Sequence, residues 1–372
     1  MVHQRYFAAV AIVVGAAICA SCSASRSTGS SQLMPPAPAP ANGSTKTPAS
    51  SSVLTTLNTE QTIGSTSPST PGDLNPYGLD IAKTTAGNIT AGDLVVCDFN
   101  NPGNVQGTGT EIVSLHPVVG STPTLIAKDN TLTGCNALAT APNGNIWAAA
   151  FAANDNPIFT PSGTLVTTLS AGPWHHPFGE AFAPPNVFYV SNAQDGSLVR
   201  VTVMPGPAFT FTTIATGFPV NGGQPGSILA PSGLNYQSTG DILYVVDGTN
   251  NTLYAIDGVS KVPANGIQIS GASCSGTSAS NLHVIFSGPP LNGPISSAIL
   301  PGGNIAVGNT LDPDGQNLMV EVSPTGHLLH VKNVDTGPAG AIFGMVATGT
   351  SAASTKLYFN DDNDNTVKVL SP

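Results

Sequence analysis

The stretch Trp174-His175-His176-Pro177-Phe178-Gly179-Glu180 places two imidazoles, an indole and a carboxylate within seven residues. Histidine changes charge near neutral pH, so such a cluster is equipped for acid–base work or for holding a ligand. His175, His176 and Glu180 are the catalytic candidates, and Trp174 is a candidate surface for a ligand to pack on. A second set is acidic. FNDDNDNTVKVL, Phe359 to Leu370, offers Asp361, Asp362 and Asp364 to a divalent cation. A D-x-[DN]-x-[DN]-G…E calcium loop needs Gly at its sixth position and Glu at its twelfth. Counted from Asp361 both are missing, so any cation would sit in a looser set of oxygens. Asp247 and Asp361 are further candidate ligand contacts. The competing reading is structural, because Asn, Asp and Gly tolerate left-handed backbone and hydrogen-bond neighbouring amides in turns. No G-x-S-x-G elbow, HExxH, P-loop or dinucleotide fingerprint occurs.

The elements that must carry these residues show themselves as a repeat. A short apolar segment, a Gly- or Asn-led strand, an Asn/Asp/Gly turn and another strand recur along the chain. The first parts read NPYGLDI, CNALATA, HPFGEAF, PSGLNY, GPISSAI and AIFGMVA, starting units near Pro76, Cys135, Pro177, Pro231, Pro294 and Ala341. The second and third parts include GDLVVCDFNN from Gly92, GDILYVVDGTNNTLYAIDG from Gly240 and KLYFNDDNDNTVKVL from Lys356. A period near 50 residues with about four short strands describes a propeller blade. The expectation is all-β: a six-bladed β-propeller of four-stranded antiparallel blades over residues 52–372. The last unit has only three strands, so the ring must be closed by an N-terminal strand. SVLTTLN, Ser52–Asn58, is expected to pair with Thr366–Leu370 and remove two sheet edges.

The blade pattern P-x-G-[LI] followed by G-x-[LI]-x-V-x-[DN]-x-x-[NG] resembles the NHL and streptogramin-lyase-like six-bladed propellers, from about Asn75 to Pro372. NPYGLDI, GDILYVVDGTNNTLYAID and GNIWAAAFAANDNPIFTPSGTL carry the resemblance. It specifies shape and leaves activity open, because propellers host enzymes and binding platforms alike. In the lyases, the resemblance implies, a histidine and an acid open a lactone ester with the help of a divalent metal. No motif aligns that histidine with His175 or His176.

The N-terminus reads as a targeting segment. Met1 to Tyr6 carries Arg5, and the apolar run Phe7–Ile18 is short for a membrane span. Cys19-Ala20-Ser21-Cys22 resembles a bacterial lipobox, departing from it at Cys19, and marks Cys22 as the lipidation candidate. Residues 1–22 are therefore the signal and 23–51, rich in Ser, Pro and Ala, a disordered tether. Three further cysteines allow one disulfide; Cys97 with Cys135 is the expected pair, and buried free thiols are the alternative.

Charged residues are only 8% of the 372, and the formal net charge is −10. Negative potential favours cations and excludes nucleic acid as a partner. The expected protein is a monomeric, exported, lipid-anchored propeller at a bacterial envelope, binding an unknown protein or small-molecule ligand without catalysis, with a divalent cation as the only cofactor considered. The alternative is a metal-assisted lyase or lactonase. Connectivity puts His175, His176 and Glu180 on the same face as the acidic turns, which marks that face as the working one.

Overall fold

A computed structural model describes residues 51–372 except 69, 70 and 207. Six sheets, each built on a four-stranded antiparallel meander, follow one another around an axis, and the last is completed from the N-terminal side. Blade one is built from Leu74–Ile81, Leu94–Asn100, Glu111–Leu115 and Thr124–Lys128; blade six combines Ile342–Thr348, Lys356–Asp361 and Thr366–Ser371 with Thr59–Ser65. Middle strands are apolar on both faces because each blade packs between two others. Leu94–Asn100 and Ile146–Ala150 are buried at every position. Between blades two and three Trp147 stacks on Phe188 at 3.7 Å.

Two expectations are corrected. The closing strand is Thr59–Ser65, which runs antiparallel to Thr366–Ser371 from Thr59 opposite Ser371 to Ser65 opposite Thr366. Ser52–Asn58 instead holds a 3-10 turn, Leu54–Thr56, with Val53, Leu54 and Leu57 buried in the core between blades five and six. The wholly buried Glu321 carboxylate holds this turn, as an N-cap would. It accepts from the N–H of Val53 (2.9 Å) and Leu54 (2.8 Å), from Ser52 Oγ (2.5 Å) and from Asn304 Nδ2 (2.7 Å). Blade three, moreover, has six strands, not four. An excursion from blade four, Ile267–Ser270 and Ser273–Ser275, adds to its outer edge, the first of these strands running parallel to Ala208–Thr216.

The six inner strands share one irregularity. Each carries an extra residue relative to its neighbour just after its start, for example between Pro76 and Gly78, Pro294 and Ser296, or Ile342 and Met345. Such bulges re-aim side chains, and here the residues at the bulge, among them Tyr77, Phe178 and Phe343, gather at the axis. The glycine of P-x-G has a steric origin. A Cβ on Gly179 would lie 1.8 Å from Ser232 O of the next blade, and one on Gly344 2.6 Å from Tyr77 O.

Glu321→Ala would leave the backbone N–H groups of Val53 and Leu54 without their acceptor. The expected loss is about 3 kcal/mol, read as a lower urea midpoint with unchanged slope.

Candidate axial binding site

The turn residues singled out from the sequence sit on the face where the inner strands begin, and most are engaged in holding blades together. Asn154, Asn251 and Asn365 are left-handed, with φ of 54°, 51° and 52°. Each side-chain oxygen accepts a backbone N–H at the start of the next blade: His176 at 2.6 Å, Gly293 at 2.7 Å and Asn75 at 2.7 Å. Those three donors are themselves left-handed, at 57°, 57° and 61°. Asn192 and Asn309 repeat a second clasp, accepting from His175 N and Asn292 N and donating to Pro173 O and Pro290 O.

WHHPFGE is thereby taken apart. Trp174 is buried between blades two and three, its Nε1 donating to Leu169 O (2.8 Å) and its ring edge-on to Phe211. His176 stacks on Phe151 at 4.5 Å, with Nδ1 2.9 Å from Phe151 O. His175 is exposed and lies 3.7 Å from Asp195. Glu180 is inside the ring, opposite Val190 in the sheet and bonded through Oε1 to Asn156, whose amide is oriented by its partners. Burial pushes its carboxyl well above the usual range. No contact joins it to either histidine.

The acidic turn of blade six carries its own cation. Lys368 Nζ is 2.6 Å from Asp361 Oδ2 and 2.9 Å from Asp364 Oδ2, and reaches Glu60 of the closing strand at 4.0 Å. Asp362 donates its N–H to Ala341 O. Asp247 accepts from Thr249 N (2.9 Å) and Asn250 N (3.3 Å), while its other oxygen is buried without a partner. Burial raises its pKa to about 7, against those two hydrogen bonds. Among the described residues no group of three or more His, Cys, Asp or Glu is placed to hold a metal ion. Cys97 and Cys135 form a disulfide between blades one and two, Cα atoms 5.8 Å apart, while Cys274 keeps its thiol. Cys22 and the tether lie outside the described residues.

The axial channel is the feature that single residues did not announce. On the face carrying the turns it is closed by an aromatic plug: Tyr77 stacks on Phe343 (4.0 Å) and touches Phe99 (4.9 Å), with Phe178 and Phe151 alongside. Val220, Ile228 and Ala230, from the loop between blades three and four, pack onto it, and that loop crosses to blade one, where Pro225 lies against Gly107. The expected working face is therefore sealed at its centre. Beneath the plug a cavity of about 310 Å³ runs along the axis to the other ends of the inner strands, where half-exposed Phe182, Tyr236, Ile299 and Ala347 rim it. Asp80 and Lys83 pair there at 3.1 Å. Asn136, Ser296, Ser297 and Asn235 are the lining residues that sequence reasoning missed. The bulge position at which Asn136 and Tyr77 align was visible in the repeat, but its direction was not.

No protein-family model matches the sequence, and neither does any curated protein. Solved structures are similar in shape. Regucalcin, a calcium-binding protein from Agrobacterium tumefaciens, matches at 13% identity over 80% of this chain and 90% of its own, with a TM-score of 0.52. The nidogen/laminin complex contains a chain matching at 12% identity over 74% and 86%, also at 0.52. Virginiamycin B lyase from Staphylococcus aureus, in a catalytically inactive form with quinupristin, matches at 13% over 84% and 99%, with a TM-score of 0.49. The protein is a six-bladed β-propeller; at these identities the likeness extends to the fold alone.

Two predictions follow from the turns. Asp247 has its pKa raised in the folded state, so folding takes up a proton and stability falls as pH rises from about 4 through about 7. Asp247→Asn removes this penalty; its thermal midpoint should exceed wild type at pH 8 and converge with it near pH 4. Lys368→Met should lower the midpoint and make it rise on adding calcium, whereas the wild-type midpoint, with Lys368 already paired to Asp361 and Asp364, should respond much less.

Proposed function

We propose that the protein is exported, held at a bacterial envelope through a lipid on Cys22, and serves as a non-catalytic module that takes a small molecule into its axial channel. The observation that carries this reading is the construction of the channel. It is blind at an aromatic end, open at the other, and within the range of about 300–1,000 Å³ that small-molecule sites occupy. Its walls are strand edges, small residues and apolar side chains, with polar groups that can orient a ligand. The imidazoles of His175 and His176 lie outside it. A tether ending at the docked Ser52–Leu57 segment would hold the propeller near the membrane surface and leave its channel reachable.

Binding is tested with indole as an apolar probe and the Met345 methyl resonance as reporter, assigned through Met345→Leu. Saturable perturbation of Met345 is expected; shifts confined to surface residues would overturn the channel as the site. Loss of a measurable lactone-opening activity in His175→Ala would overturn the non-catalytic part. Radiolabelled palmitate should enter the wild-type protein in cells and not Cys22→Ser; equal labelling of both would end the anchor.

A further inference from the structure

The turns Thr160-Pro161-Ser162-Gly163 of blade two and Ser323-Pro324-Thr325-Gly326 of blade five are counterparts in the repeat. Each joins the third strand of its blade to the fourth and leans on the outer strand of the blade before. A Cβ on Gly163 would lie 1.8 Å from Ile126 O, and one on Gly326 2.4 Å from Ile285 O. Each proline also approaches a glycine of its own blade. A Cβ on Gly144 would lie 2.9 Å from Pro161 Cγ, and one on Gly303 3.6 Å from Pro324 Cγ.

The two places differ in what covers them. Over the first folds the twelve-residue connection 82–93 of blade one. Its Asn88 N–H donates to Pro161 O (3.2 Å), and its Ile89 joins Ile126 in the core between blades one and two. Pro161 and Ile126 are both buried there. The corresponding connection of blade four has only four residues, 238–241. Pro324 stays exposed and Ile285 half-exposed, and they border an open niche with Ile242, Tyr244 and Ala255. Its polar residues, Asp257 and His283, pair with each other at 3.2 Å. The interfaces on either side are filled by inserted chain: Val259 and Val262 between blades three and four, Leu54 and Leu57 between five and six.

The chain that precedes the described residues starts beside this niche. Ser51 O accepts from Asn304 Nδ2 (3.1 Å), and Asn304 follows Gly303, the neighbour of Pro324. Between Cys22 and Ser51 the only large apolar residues are Leu33 and Met34. Met34 lies seventeen residues before Ser51, a reach of about 60 Å at full extension. Tied to the propeller in this way, the pair meets the niche at an effective concentration of the order of mM. A contact of modest strength is then enough.

We propose that Leu33 and Met34 dock in the niche between blades four and five, taking the place that Ile89 holds between blades one and two. The docking depends neither on the axial channel nor on the lipid. Given a lipid on Cys22, it shortens the free span from residues 23–50 to 23–32, about 35 Å at most against about 100 Å. The end of the ring at which the channel opens is thereby kept close to the membrane.

The test uses the full exported chain with isotope-labelled methionine methyls, Met34 being assigned through Met34→Leu. The Met34 resonance should lie away from its random-coil position and show nuclear Overhauser contacts to Ile285. Pro324→Asp, on an exposed turn, and Leu33→Ser, outside the propeller, should each return it to that position. Met319 and Met345, both buried, should report an unchanged fold in both variants. Cys22→Ser should leave Met34 displaced. A random-coil Met34 in the wild-type chain would overturn the docking. So would a displaced Met34 indifferent to either substitution, or one displaced only with Cys22 present, which would assign the contact to the lipid.

Discussion

Six strands that meet edge-on around one axis at backbone contact distance set the terms for everything else in this molecule. At Gly179 and Gly344 the next blade's backbone occupies the place of a side chain, so the small residue of P-x-G is a steric requirement of the ring. A regular strand beside that contact would point alternate side chains into the two blade interfaces. The extra residue in each inner strand breaks this alternation once and delivers a side chain to the axis. Where that side chain is aromatic the axis is plugged; below, where alternation resumes, a channel is left. The closed end and the open end thus share one cause.

Much of the architecture was legible because the blade repeat is a pattern of turns and apolar runs, which does not depend on where any one side chain points. Blade number, the three-stranded last unit and closure from the N-terminal side followed from it. The choice of closing segment did not. An outer strand is buried on little of its surface, so Thr59–Ser65, TEQTIGS, has only Ile63 and Gly64 buried and carries no apolar alternation. The more apolar SVLTTLN attracted the assignment, yet its apolar residues belong to a 3-10 turn whose partner is Glu321, a carboxylate distant in sequence. Nothing local announces that pairing. The two strands lent to blade three by blade four were hidden for the same reason.

The site was harder to read, since residue type says what a group can do and only the fold says which way it faces. Only Gly179 separates Phe178 at the axis from Glu180 in the wall, and the bulge between Pro177 and Glu180 shifts their phase. His175 and His176 look like a catalytic pair, but His176 occupies the left-handed position that Asn75 and Gly293 fill in other blades, one where histidine is among the better tolerated non-glycine residues. Its neighbours in sequence were the wrong comparison; its counterparts in the repeat were the right one. FNDDNDN is likewise answered from outside its own turn, by Lys368 on the next strand.

The distribution of charge completes the division of labour. With ten Lys and Arg against twenty Asp and Glu, cations are scarce, and several of them hold carboxylates at structural seams: Lys128 on Glu111, Lys83 on Asp80, and Lys368 across the closure of the ring. Among the buried acids without a cation, Asp98, Glu180 and Asp247 have their pKa raised chiefly by desolvation. Burial without a cation thus makes ionisation costly at those three acids, whereas Glu321, equally buried, is met by four hydrogen-bond donors. Of the ionisable groups lining the channel, Asp80 pairs with Lys83 and Glu180 is desolvated.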